Sequence, residues 1–322
     1  LFDLVAQGHS ACTEKMIIET IKKGAFELND AKPTAQYIQD LISNHGKHQI
    51  IIDQETGLIC PIVAYKIEKG IYEHISRLLD NKTSSNPSNS AHINQAISIF
   101  NKQERIGRND PKFSLNEKQN EAIHMIMTNG ISIVTGNFGT GKETLLRAIF
   151  HVLEQCNLTY YACTVSESFT HKLRKVTNQY NQIRSIEDLI QNSPNLDDQE
   201  PQYVIINEAE MVDTWRLWKL LNIFGKNPRI VLIGDLAKAP LDRAGLSFLT
   251  ITNASAIPQV NLEHIIHKDN DCIIPLIGQA IHNGDELWSK HQNIKGIDVI
   301  DCDKGNMLDT VIGFYAKDPE NT

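Results

Sequence analysis

Residues 131–144 read Ile131-Ser132-Ile133-Val134-Thr135-Gly136-Asn137-Phe138-Gly139-Thr140-Gly141-Lys142-Glu143-Thr144. An apolar strand runs into a glycine-rich turn, and the turn into the start of a helix. That order is the context in which the spacing G-x-x-x-x-G-K signals a phosphate-binding loop. The glycines let backbone N–H groups close around phosphate oxygens. The helix offers its positive N-terminal end, and Lys142 adds a mobile cation. This assigns Gly136, Gly139, Thr140, Gly141, Lys142 and Thr144 to nucleotide binding. One part is exchanged: Glu143 stands where the motif has a hydroxyl that binds magnesium.

On both sides of the loop, helical stretches alternate with short apolar runs. The strands expected are Ser132–Thr135, Tyr160–Cys163, Tyr203–Ile206 and Arg229–Ile233. Such alternation predicts an α/β fold, a parallel sheet with helices on both faces. The ends of the first, third and fourth strands carry the unusual residues, and strand ends are where open α/β sheets bind ligands.

Residues 1–80 predict a separate helical, winged-helix-like domain. Thr13–Lys23 has moderately helical spacing, and Pro33 suits the start of a second helix bearing Tyr37, Ile38, Leu41 and Ile42. Gln49–Ile52 and Leu58–Cys60 flank a turn and read as a hairpin, followed by a helix over Tyr65–Leu79. The polar, breaker-rich run from Asp80 to Ser90 reads as a linker. The expected division is therefore 1–80, a linker and connecting helix over 81–112, and a motor lobe over 113–322.

The chain has 322 residues, enough for two domains, with 41% hydrophobic and 22% charged residues. Its net charge of −8 excludes a global attraction to nucleic acid and requires any such binding to use a local basic strip. Six scattered cysteines without a C-x-x-C pair read as reduced thiols of a cytoplasmic protein. No apolar run is long enough to span a membrane. The chain begins with Leu1, so neither terminus is read as natural.

Further motifs flank the loop in a fixed order. Leu115-Asn116-Glu117-Lys118-Gln119 precedes it; after it come Val204-Ile205-Ile206-Asn207-Glu208-Ala209-Glu210, then Val231-Leu232-Ile233-Gly234-Asp235-Leu236-Ala237-Lys238, then Val260-Asn261-Leu262-Glu263-His264-Ile265-Ile266-His267. This order and spacing resembles the RecD-type superfamily-1 DNA helicases, and the likeness extends back through Tyr65 and Glu68. The resemblance implies a RecA-like P-loop lobe that binds ATP. In the family, the residue matching Gln119 contacts adenine and the one matching Lys142 contacts phosphate. A hydroxyl after the lysine and an Asp at the strand end hold magnesium, and the next Glu, here Glu208, activates water. A Gln in the segment containing Gly234 and Asp235 senses the γ-phosphate, and an Arg further on neutralises transition-state charge.

Four positions depart from that pattern: Glu143 for Ser/Thr, Asn207 for Asp, Lys238 for Gln and His267 for Arg. Phosphoryl transfer is chiefly positioning and charge neutralisation, and an arginine finger alone is worth about 10³-fold or more. A neutral amide supports a hard cation less well than a carboxylate. The substitutions therefore predict a lobe deficient in hydrolysis, with weak ATP binding and no dependable magnesium site. A competing reading has Glu143 hold the metal that Asn207 cannot.

In the family, the segment after the second strand touches single-stranded DNA. Here that implies Thr164 and Ser166, with the basic helix His171-Lys172-Leu173-Arg174-Lys175 offering Lys172, Arg174 and Lys175 to phosphates. A solvated helix face is the equal alternative. His264 and His267 with Asp271 and Cys272 allow a zinc site to be imagined, but His267 already has an explanation. Trp215 and Trp218 read as packing, Met125 and Met127 as core or surface of the helix before the loop, and Cys163 has no neighbouring His or Lys at motif spacing that would mark a nucleophile. The interval Asn192–Pro201 is short for a strand-separating pin, and the chain stops where a second motor lobe would follow, so unwinding by this chain alone is not expected. The functions left open are a degenerate lobe acting as a nucleotide- or DNA-binding scaffold, the nucleotide-binding part of an active five-prime to three-prime helicase, and a module that binds a protein partner through residues 1–80.

Overall fold

The computed structural model describes residues 11–27, 50–53, 55–80, 89–165, 167–177, 182–192, 201–224, 228–238, 247–263 and 305–317. The chain forms two compact units, 1–268 and 269–322. In the second unit the described residues form one helix, Met307–Lys317.

The first unit begins with α1 (Glu14–Glu27) and a hairpin of β1 (Ile50–Ile52) and β2 (Ile59–Pro61). The hairpin strands are antiparallel, with Ile51 opposite Cys60. Cys12, Ile17 and Ile59 close a small apolar cluster beneath them. Helix α2 (Ile62–Asp80) follows directly. The expected helix starting near Pro33 and most of the expected linker lie outside the described residues.

Next come α3 (Ser90–Gly107) and α4 (Glu117–Thr128), then the sheet. Its strands are β3 (Ile131–Gly136), β4 (Tyr160–Thr164), β5 (Ile183–Ser185), β6 (Tyr203–Asn207), β7 (Arg229–Gly234) and β8 (Gln259–Leu262). All neighbours pair in parallel, in the order β5-β4-β6-β7-β3-β8. The connecting helices are α5 (Lys142–Gln155), α6 (Glu167–Thr177), α7 (Ile186–Gln191), α8 (Thr214–Ile223) and α9 (Ser247–Thr252). The four expected strands form, each one or two residues longer than its apolar run. Strands β5 and β8 were not among them, because one has three residues and the other alternates polar with apolar.

Strand side chains alternate between two faces, and each face has its own core. Val134, Ile205, Val231 and Ile233 pack with Ile97 and Phe100 of α3, Ile123 and Ile126 of α4, and Leu146 and Ile149 of α5. On the other face Ile133, Val204, Ile206 and Leu232 pack with Leu217 and Leu221 of α8 and with Ile71 and Leu78 of α2. Helix α2, expected to complete the N-terminal module, therefore also covers the sheet. Its approach to α8 is close: a Cβ at Gly70 would sit 2.6 Å from Trp218 Nε1.

Candidate nucleotide-binding site

The phosphate loop joins β3 to α5 at the carboxyl edge of the sheet. Gly139 and Gly141 adopt φ values of 82° and 85°, a left-handed conformation that side chains with a Cβ resist. At Gly136 the constraint is space: a Cβ there would lie 2.6 Å from Thr140 Oγ1 and 3.0 Å from Leu262 Cβ. Thr140 is buried and donates to the Asn137 carbonyl at 2.8 Å. The loop is thus braced from within, with the N-terminus of a 14-residue helix behind it, an arrangement that fits a polyphosphate.

Lys142 lies across the loop. Its ammonium donates to the Gly136 carbonyl, to the Asn137 carbonyl at 2.9 Å and to Asp235 Oδ2 at 3.5 Å. Burial holds its pKa below the ordinary lysine value, and the Lys238 charge adds to that, against the opposing pull of Asp235. Gln119 sits behind the loop, almost fully buried. Its Oε1 accepts from the Asn116 amide at 3.0 Å, completing a capping box on α4, while Nε2 donates to the Gly141 carbonyl at 3.2 Å. The carboxamide thus ties the helix start to the loop and keeps one amide hydrogen in reserve.

Thr144 Oγ1 accepts from Arg108 Nη2 at 3.2 Å. Arg108 also stacks on Phe113, with 4.6 Å to the ring centroid, and pairs with Glu104 at 2.6 Å. The buried Glu104 carboxylate bridges Arg108, the C-cap of its own helix, to Arg147 on α5. The motif spacing did not disclose Arg108 as a neighbour of the loop.

Opposite the loop, β6 and β7 deliver the acidic residues. Asn207 closes β6 beside Ile233 of β7, half-buried. Glu208 follows with φ 57°, an uncommon conformation for a residue with a side chain. Its Oε1 lies 3.5 Å from Lys238 Nζ, and its Oε2 is buried with no hydrogen-bond partner among the described residues. Burial raises its pKa, and the Glu210 charge adds to that; Lys238 and Lys172 work against it. Glu210, to which sequence reasoning gave no role, accepts from the Asp235 amide at 3.0 Å and lies 3.2 Å from Lys238 Nζ. Asp235 is buried and accepts from the Ala237 amide at 3.0 Å. Burial opposes the Lys238 charge, but the carboxylates of Glu210, Glu208 and Asp235 outweigh it and raise the lysine pKa.

These residues do not fit a divalent metal. Glu143 is exposed on α5, and Asn207 brings no charge. Glu208 and Glu210 face an ammonium instead, and Asp235 faces Lys142. Among the described residues no three of His, Cys, Asp and Glu gather as metal ligands. His264, His267, Asp271 and Cys272, and with them the imagined zinc site and the position of the family's arginine, lie outside the described residues.

The expected DNA segment is divided by the structure. Thr164 is fully buried, its hydroxyl 3.0 Å from that of Thr170, so its side chain belongs to the interior. On α6, Lys172 and Lys175 are exposed, while Arg174 is half-buried and donates through Nε to the Ile183 carbonyl of β5 at 2.8 Å. Ser166 lies outside the described residues. Met127 is buried, half-buried Met125 and Trp218 pack against the core, and half-exposed Trp215 carries Lys219 5.4 Å over its ring. Cys163 is fully buried, which pushes its thiol pKa far up and leaves it inert. No helix among the described residues is long and apolar enough to cross a membrane.

A family model described as an AAA domain matches residues 114–299. An ATP-dependent RecD2 DNA helicase of Deinococcus radiodurans is 23% identical over 192 residues, covering 57% of this chain and 26% of that protein. This chain therefore spans about a quarter of that relative's length. Among solved structures, a Pif1 helicase from Candida albicans aligns with TM-score 0.37 and 17% identity over 60% of this chain and 50% of that one. A structure of two coordinating Pif1 helicases at forked double-stranded DNA aligns with TM-score 0.36 and 17% identity over 53% and 48%.

Proposed function

The chain belongs to the AAA domain family, and we infer that it is the motor region of a RecD-type superfamily-1 helicase, a lobe that holds nucleotide without hydrolysing it. The observation that carries this reading is the ion pair of Lys238 with Glu208 and Glu210. A general base must be free to take a proton at the moment of attack. Glu208, the carboxylate the family uses on water, instead faces a permanent cation. The neighbouring positions support the same reading, since Asn207 and the exposed Glu143 leave no carboxylate–hydroxyl pair for magnesium.

ATP is the ligand proposed for the loop, and single-stranded DNA for the exposed side of α6. There Lys172 and Lys175 supply phosphate contacts, while Arg174 supports β5. In this role the lobe serves as a nucleotide- or DNA-responsive scaffold rather than as a source of work.

The test is ATP turnover with magnesium, with and without a single-stranded oligonucleotide, beside direct binding of a fluorescent ATP analogue. Binding with no phosphate release above the buffer rate is the expected result. Sustained, DNA-stimulated release would remove the proposal.

A further inference from the structure

We propose that Lys238 is a tethered cation that supplies the charge a divalent ion would bring, so that the site accepts a nucleoside triphosphate free of metal. The inference rests on the reading that the loop still takes nucleotide, and it adds the form of the ligand and the residue that selects it.

Lys238 leaves the end of β7 three residues after Asp235, and Asp235 reaches Lys142 at 3.5 Å. The two ammonium groups therefore border one acidic cluster, Lys142 from the loop side and Lys238 from the side of Glu208 and Glu210. Their charges also act on one another. Each carboxylate of the cluster has a partner within the protein. Asp235 has the Ala237 amide and Lys142, Glu210 has the Asp235 amide and Lys238, and Glu208 has Lys238. A divalent ion entering here would have to displace an ammonium and strip its own water, with an amide and a solvent-facing glutamate as the further ligands. A triphosphate asks for no such displacement. Each ammonium has three N–H donors, so Lys142 and Lys238 can each give one to a phosphate oxygen and keep their carboxylates.

Relative to the family pattern, Asn207 removes one negative charge and Lys238 adds one positive charge. Together they equal the charge of one divalent cation. Glu143 opposes this with one negative charge, but its side chain is exposed and screened by water. Lys238 suits the task, because its side chain is 41% exposed, and a lysine stem can pack while its charged head faces solvent.

The experiment is calorimetric titration of the chain with a non-hydrolysable ATP analogue, once in EDTA and once in magnesium, for the natural protein and for Lys238→Gln and Lys238→Arg. The natural protein is expected to bind equally in both buffers, within about threefold. In EDTA, Lys238→Gln should bind about tenfold more weakly, the loss of one charge-assisted contact, and Lys238→Arg should stay near the natural affinity. Binding that requires magnesium, or a Lys238→Gln protein that matches the natural one in EDTA, overturns the inference. Absence of binding in both buffers overturns it together with the nucleotide-binding reading. Turnover of ATP in magnesium would refute the hydrolysis-deficient reading alone, because the EDTA titration is judged separately.

Discussion

Single side chains set the character of the site, and two of them give sharp tests. Gly136 faces Leu262, held in β8, and Thr140 Oγ1, held by its bond to the Asn137 carbonyl. Gly136→Ala should cost about 1–3 kcal/mol, as overpacking does, and abolish binding of an ATP analogue; thermal melts and titration check both. Glu208 tests electrostatics. Its folded pKa is raised by burial above the ordinary value of 4.5, so its contribution to stability is full below that value and is lost as pH rises through the folded pKa. Glu208→Gln should therefore match the natural protein at acid pH and melt higher at neutral pH. The reverse order would mean that the Lys238 pair outweighs burial. Sequence alone exposed the exchanged residues, since each sits in a motif of fixed spacing. It did not reveal what the newcomers touch: Lys238 meets Glu210 only because the turn after β6 folds beside the end of β7.

At the scale of elements, the sheet was legible wherever a run was apolar on both faces, as in β3, β6 and β7, because burial between two helical layers leaves no polar alternation. The edge strands hid for the converse reason. In β8, Gln259 and Asn261 are exposed while Val260 and Leu262 are buried, and four residues are too few to display a period. Helix α2 was found, but its partners were not, since an amphipathic face does not say which surface it will meet. The joint between α3 and α5 was equally invisible. There Glu104 is buried between Arg108 and Arg147, and Arg108 reaches Thr144 beside the loop. Glu104→Gln should lower stability by about 2 kcal/mol, the scale of a hydrogen bond to a charged group, measured by denaturant unfolding. It should also weaken nucleotide binding, because α5 carries the loop. Unchanged affinity would separate the joint from the site.

For the molecule as a whole, the acidic net charge confines any nucleic-acid contact to a local surface, and the exposed basic groups of α6 adjoin the site: the Lys172 charge is felt at Glu208. Lys172→Glu combined with Lys175→Glu should abolish salt-sensitive binding of a single-stranded oligonucleotide without lowering the melting temperature. Anisotropy titrations at two salt concentrations decide this, and equal affinity of the variant would assign α6 to solvent. The account's central claim is that a cradle for triphosphate survives here without a seat for the metal. The most direct measurement is a crystal structure with a non-hydrolysable ATP analogue and manganese, which anomalous scattering locates. The account predicts a triphosphate in the Gly136–Thr144 loop, contacted by Lys142 and Lys238, with no manganese held by the protein. Manganese bridging the β- and γ-phosphates with Glu143 or Asn207 as its ligand would contradict it.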